Sequence, residues 1–271
     1  MKGRPYFVLF TALTLLVCYG SVIHGMIQQW TEDEDMAHGF AVPVVIGWII
    51  WSERGRWQSL EARPNWWGCA VLALAAGLDF AGALGAGLFA RALAFLLSIA
   101  GAMLCLGGMA WLRVFAFPFV LALFMLPKLA IAYNQITLPL QLLATRLAAW
   151  ILTIAGFTVG RQGNILSVAG HSIAVVEACD GIRYLIPLGF TALVLAYLTS
   201  ATIWMRVVLF IAAVPLAIIA NGLRVAAIAP VPALLTEPLH ALTGWVLFLL
   251  CLAALMFVRR AVVAAYGRYH A

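Results

Sequence analysis

The sequence predicts an all-α polytopic membrane protein: about eight transmembrane helices, with a small extracytoplasmic β-hairpin before the sixth. Three observations predict it. Of the 271 residues, 65% are hydrophobic and only 10% charged, with a mean hydropathy of +1.06. Soluble domains are roughly one quarter charged, and no water-soluble fold hides this much apolar surface. Apolar runs recur at lengths close to the roughly 20 residues that a helix needs to cross a bilayer. Lys and Arg gather in the short loops between alternate runs, as they do on cytoplasmic loops. The chain reads as one integral membrane domain, residues 1–271, with no room for a separate soluble part.

The net charge of +6 excludes little by itself. There is no basic tract, so no nucleic-acid partner is expected; the cations sit beside membrane lipid. The five cysteines form no CxxC and no metal-ligand spacing, so neither a metal nor a cofactor is expected. Cys18, Cys69, Cys105 and Cys251 lie inside apolar runs, where a thiol usually only packs. Cys179 alone has polar and charged neighbours.

Taken in order, the first span is about residues 6–23, an uncleaved segment entering from the cytoplasm after Lys2 and Arg4. An acidic loop, Thr31 to Asp35, follows it outside. The second span, ending near Trp51, is short and is closed by Arg54, Arg56 and Arg63. The third, about residues 66–84, carries Asp79, which is costly at depth unless it faces protein or water. A glycine-rich turn at 82–87 leads to the fourth, about 90–112, closed by Arg113. The fifth, about 114–133, contains Pro118 and Pro127, which should bend it.

Residues 136–157 carry Gln141, Thr145 and Arg146 on one side and leucines around the rest, the pattern of a helix along or dipping into the interface. Val159 to Gly163 reads as a turn. Residues 164–168 and 172–176 read as the two strands of the hairpin. The sixth, seventh and eighth spans are about 182–199, 206–226 and 240–258. Arg206, Arg259 and Arg260 mark their cytoplasmic ends, and both termini are expected in the cytoplasm.

Helix geometry then brings three distant residues to one level. At 1.5 Å per residue, Arg206 to Arg224 spans about 27 Å and His240 to Arg259 about 28 Å, near the thickness of the hydrocarbon core. Cys179 stands just before the sixth span, so Cys179, Arg224 and His240 meet at the outer face. A thiol is nucleophilic as thiolate, which helix N-termini and nearby cations favour. Arg183, at i+4 from Cys179, is such a cation; Glu177 and Asp180 oppose it. His240 has the chemistry of a general base and acid, and Arg224 that of an oxyanion stabiliser. Gly244, one turn beyond His240, leaves space for a neighbouring helix or a substrate chain. Separately, each has a plain reading as an inert, snorkelling or capping residue; the shared level joins them.

Four stretches, in this order and spacing over nearly the whole chain, resemble the exosortases of the exosortase and archaeosortase superfamily. They are Trp30 to Pro43 with His38, Glu177-Ala-Cys179-Asp-Gly-Ile-Arg183, Asn221-Gly-Leu-Arg224, and His240 to Trp245. The resemblance implies a cysteine peptidase or transpeptidase of the inner membrane, with Cys179, Arg224 and His240 as catalytic residues at the periplasmic face. It implies substrate proteins with a C-terminal sorting signal: a Pro-Glu-Pro motif, a span and a basic tail. An amine of a glycan or lipid is a candidate acceptor, in exopolysaccharide-linked systems. Asp180 departs from the serine expected there. Arg183, His38, Asn221 and Glu177 are the supporting or substrate-binding candidates. A transporter or scaffold for polysaccharide or lipid, built around Asp79 and the Gly- and Pro-broken spans, is the alternative.

Overall fold

The computed structural model describes residues 4–175, 182–199, 202–236 and 238–269. The chain divides into two compact units, Met1–Leu129 and Ala130–Ala271. The described structure is helical apart from one small sheet. Seven helices are long and apolar enough to cross a membrane, or eight if a bent N-terminal pair counts as one crossing.

That pair is α1 (Arg4–Cys18) and α2 (Gly20–Glu32), bent by 65°. The bend falls at Tyr19 and Gly20, inside the run 6–23 read as one span, and a tertiary bond accompanies it. The buried Tyr19 hydroxyl, at the break, lies 2.8 Å from the Ser98 hydroxyl. A 3₁₀ turn, Glu34–Phe40, runs into α3 (Ala41–Ser52), and together they make the second span. Pro43 sits in the first turn of α3, where its missing N–H costs nothing. The short α4 (Arg54–Gln58) follows.

Next, α5 (Trp67–Ala81) and α6 (Gly87–Gly107) form a hairpin. The kink between them needs glycine: Gly85 and Gly87 have φ of 141° and 80°, which side-chain-bearing residues rarely adopt. Asp79 does not face an open cavity alone. Its carboxylate accepts a 3.0 Å bond from Arg91 Nε, and Arg91 Nη2 also reaches the Ser21 hydroxyl.

The segment expected as the fifth crossing, about residues 114–133, does not form one span among the described residues. It is broken into α7 (Met109–Val114), α8 (Ala116–Ala122) and a 3₁₀ turn, Leu123–Met125. Its two ends are tied to opposite ends of the unit. Arg63 N–H donates to the Gly107 carbonyl at the start, and Trp30 Nε1 donates to the Met125 carbonyl at the finish. Among the described residues these pieces are too short to be a candidate span; counting the bent pair as the first, the fifth candidate is the helix Ala130–Ile154, and Pro127 lies in the connection before it.

The second unit opens with α9 (Ala130–Ile154), one continuous helix and a candidate span, where the sequence suggested an interfacial segment. Of the polar residues that suggested it, Gln141 and Thr145 are buried on the face that also carries Thr137, Ala144, Ala148 and Leu152, while Arg146 is exposed. The hairpin is a three-stranded antiparallel meander, β1 (Val159–Gln162), β2 (Ile165–Val168) and β3 (His171–Ala174). Residues 159–162, read as a turn, pair with β2 from Val159↔Val168 to Gln162↔Ile165. The β2–β3 turn, Ala169-Gly170, has positive φ at both residues, the geometry whose twist matches a hairpin. Leu166 and Val168 alternate inward onto Ala144, Ala148 and Leu152 of α9.

Three helices complete the unit: α10 (Ile182–Thr199), α11 (Ile203–Ile228) and, after a 3₁₀ turn, α12 (Leu239–Tyr269). Leu188, Ala192, Leu209, Ala213, Ala217, Cys251 and Leu255 form their shared core. The alanines let the helices approach closely, as membrane helices must when lipid offers no hydrophobic drive. At one end of this bundle Arg259 Nη2 donates to the Thr199 carbonyl at 2.7 Å. At the other lie Arg224 and His240.

Candidate active site

The site starts from the last two turns of α11. Asn221 and Arg224 are three residues apart, so they share a helix face, and both are 2% exposed. Gly222 between them has a packing reason. A Cβ there would stand 2.8 Å from the Leu147 Cβ, so only glycine lets α9 lie this close to α11.

A guanidinium in an apolar bundle is costly unless its hydrogen bonds and charge are met. Arg224 Nη2 donates to the His240 backbone carbonyl at 3.1 Å. The guanidinium carbon also lies 5.5 Å from the centre of the Tyr184 ring, within cation–π range. The arginine thus connects α11 to the first turn of both flanking helices. His240 N–H donates to the Thr236 carbonyl at 3.0 Å, which holds the start of α12 against its preceding turn. The His240 carbonyl also accepts from the Thr243 hydroxyl at 2.8 Å.

The space beside Gly244 is filled. A Cβ at this position would lie 3.2 Å from the Tyr184 hydroxyl and 3.7 Å from Arg224 Nη2. The missing side chain therefore makes room for the α10 tyrosine and the α11 arginine.

The start of β2 holds Val175 in place. Val175 N–H donates to the Asn164 carbonyl at 2.8 Å, and Asn164 Nδ2 donates back to the Val175 carbonyl at 3.0 Å. The same Nδ2 reaches Gln141 Oε1 of α9 at 3.3 Å. Val175 is buried in one cluster with Val225, Ala226 and Ala229 at the end of α11. Cys179 and Glu177 lie outside the described residues, as does Asp180. Arg183, in the first turn of α10, is half-buried.

His38 belongs to the first unit. Its two ring nitrogens lie 3.0 Å from the Asp35 carbonyl and 2.9 Å from the Phe124 carbonyl, so it straps the Glu34–Phe40 turn to the Leu123–Met125 turn. Beside it Lys128 Nζ bridges Asp33 and Asp35 at 2.7 and 2.6 Å. Burial pulls the Lys128 pKa down, but its bonds to both carboxylates outweigh that and raise it above the ordinary lysine value. Among the described residues, no three His, Cys, Asp or Glu side chains gather as a metal site.

The structure therefore brings together Arg224, His240 and Asn221 of the expected residues. Sequence reasoning missed Tyr184, although it adjoins Arg183, and it missed Asn164, Gln141 and Lys128. Only the fold pairs these last three: Lys128 with aspartates 95 and 93 positions away, Asn164 with a helix 23 positions back. The family model for transmembrane exosortases matches residues 30–257. No curated protein and no solved structure matches the chain.

Proposed function

Because the chain belongs to the transmembrane exosortase family, a family of membrane sorting transpeptidases, we propose that it is a cysteine enzyme that cuts the C-terminal sorting signal of exported proteins. Cys179 is the nucleophile, His240 the general acid and base, and Arg224 the oxyanion stabiliser. The observation that carries this reading is the hydrogen bond between Arg224 and the His240 backbone, at the end of the bundle where α10 begins. Chain connectivity adds support. Cys179 is four residues after Val175, which packs with the end of α11, and three before the buried Ile182.

In this mechanism the Cys179 thiolate attacks the scissile carbonyl carbon. Negative charge develops on the carbonyl oxygen, and the Arg224 guanidinium stabilises it. The C–N bond then breaks, the departing amine takes a proton from His240, and a thioester remains. An incoming amine or water loses its proton to His240, attacks the thioester and regenerates the thiol. Removing one oxyanion stabiliser typically costs about 10²–10³ in rate.

The substrate's own span docks between spans in the bilayer, its basic tail stays at the cytoplasmic side, and its Pro-Glu-Pro motif presents the bond at the periplasmic face. Arg206, Arg259 and Arg260 crowd the other end of α11 and α12, the charge pattern of a cytoplasmic side. Membrane lipid surrounds the site, and an amine-bearing glycan or lipid of an exopolysaccharide-linked system is the proposed acceptor. Asn221, Arg183 and Glu177 support the site rather than react, and His38 supports the outer-face structure of the first unit. The transport alternative loses its main motive, since Asp79 is paired with Arg91.

The test is processing of a tagged sorting-signal substrate in cells carrying Cys179→Ala, Arg224→Lys or His240→Ala. Each is expected to accumulate the uncut precursor. Wild-type levels of the shortened product from any one, at equal membrane abundance, would remove that residue from the mechanism.

A further inference from the structure

A pair of sulfurs lies close together in the first unit. Cys69, in the first turn of α5, and Cys105, in the last turn of α6, have their Sγ atoms 3.8 Å apart. Neither belongs to a metal-ligand motif, and the sequence suggested only packing roles for both. The fold makes them neighbours across 36 residues. Cys69 is exposed and Cys105 half-exposed, so reagents can reach the pair.

The contact is held from several directions. A Cβ at Gly68 would stand 2.5 Å from Cys105 Sγ and 2.6 Å from both Cys105 N and the Gly101 carbonyl oxygen. A Cβ at Gly101 would stand 2.9 Å from Leu72 Cγ. Glycines on both helices thus bring the two backbones almost into touch at the level of the thiols. The far end of the hairpin is fixed by the Asp79–Arg91 ion pair at 3.0 Å. The near end is fixed by the Asn65 N–H bond to the Leu104 carbonyl at 3.1 Å. With both ends tied, the thiols cannot drift apart without breaking the hairpin.

We propose that Cys69 and Cys105 form a redox-active dithiol, which a two-electron oxidant closes into an intrachain disulfide and which chelates trivalent arsenic. A disulfide needs the sulfurs at about 2.05 Å, so closure requires an approach of under ~2 Å. That distance is within reach of small side-chain rotations across backbones already this close. In the oxidation, each S–H loses its proton, one S–S bond forms, and two electrons pass to the oxidant. With diamide, the N=N bond takes up both electrons and both protons and becomes a hydrazine. With phenylarsine oxide no redox change occurs: two As–S bonds replace the As–O linkage, and water leaves with the two thiol protons. Arg54, Arg56, Arg63 and Arg113 crowd the same end of this unit, the charge pattern of a cytoplasmic face. Thiols are held reduced there, so the pair rests as a dithiol and closes under oxidative challenge.

The test uses the full-length protein in detergent. It is treated with diamide, blocked with N-ethylmaleimide, digested, and searched by mass spectrometry for joined peptides. The expected result is a Cys69–Cys105 linked peptide, with maleimide labelling of each residue reduced at least tenfold. Phenylarsine oxide pretreatment is expected to give the same protection, reversed by a dithiol but not by a monothiol. In Cys105→Ser, Cys69 is expected to regain full labelling under both treatments. Neither residue is assigned a role in the proposed catalytic machinery, so Cys69→Ser and Cys105→Ser should process substrate like wild type. Full labelling of Cys69 and Cys105 in the treated wild-type protein, or linkage only between separate molecules, would overturn the proposal.

Discussion

Replacing Gly244 by alanine separates packing from chemistry at the proposed site. In a helix, alanine is favoured over glycine by about 0.8–1.0 kcal/mol. The new methyl meets the Tyr184 hydroxyl at 3.2 Å, a few tenths of an ångström inside ordinary contact, and Arg224 Nη2 at 3.7 Å. Relieving that contact through an off-rotamer tyrosine costs about 0.5–1.5 kcal/mol. The two terms nearly cancel, so the thermal midpoint should move by no more than a degree or two. Activity should not be spared. A misplacement of 1 Å can cost about 10²-fold, so on a logarithmic scale a shift of about 0.3 Å costs about fourfold. Gly244→Val adds bulk that no small shift absorbs and should lose processing by more than about 10²-fold. The assay is substrate cleavage per folded molecule, read beside thermal unfolding in detergent. Wild-type cleavage by both variants would refute the reasoning, because Tyr184 and Arg224 would then not need their present positions. A parallel loss of stability and cleavage in Gly244→Ala would also refute it, by reducing the glycine to a packing residue.

Four further outcomes follow from the geometry. Asn164→Ala removes side-chain bonds to Val175 and Gln141 and should destabilise the second unit by about 2 kcal/mol; its cleavage per folded molecule should also fall, and unchanged cleavage would limit Asn164 to stability. Tyr184→Leu removes the ring beside Arg224 and should slow cleavage more than Tyr184→Phe, which keeps the cation–π contact; equal rates would remove the ring from the account. Lys128→Met leaves Asp33 and Asp35 facing each other and should cost about 2–4 kcal/mol of stability, read as a lower unfolding midpoint. Because the folded Lys128 pKa is raised, its contribution is fully present below the unfolded lysine pKa of about 10.4 and is lost only as pH climbs through the folded value, so the wild-type minus Lys128→Met difference should stay flat from pH 6 to 9 and shrink above about pH 10.5.

Much of the fold was legible because a bilayer imposes length and apolarity on each crossing. Where reading failed, a tertiary partner had replaced the local rule. The bend between α1 and α2 falls at Tyr19 and Gly20, where a single glycine is too weak a signal to break an apolar run, and Tyr19 is tied there to Ser98, 79 residues on. Gln141 and Thr145 made α9 look amphipathic, yet that polar stripe is buried. The first strand, Val159-Gly-Arg-Gln162, has a glycine inside it and Gly163 just beyond it, and owes its conformation to pairing with Ile165–Val168. Arg224 and His240 could be placed at one level because helical rise is nearly constant. Their partner Tyr184 could not, since a tyrosine one turn into a span has no signature that separates site from core.

Arg224 also discriminates between two readings of an arginine near a helix end. The ordinary one is snorkelling, in which the stem lies along lipid and the guanidinium reaches interfacial water. Such a residue has an exposed head and no fixed partners within the bundle. Arg224 is 2% exposed, bonded to the His240 carbonyl and stacked near Tyr184, with Gly244 left bare to admit it. Desolvating a cation this fully works against stability unless the fold surrounds it with built contacts, and packing alone would be served more cheaply by leucine. The pattern fits a charge held in place for a charge that develops later, on a reacting carbonyl oxygen. Arg224→Leu should therefore fold at least as well as Arg224→Ala while both fail to cleave; cleavage by the folded leucine variant would return Arg224 to a structural role.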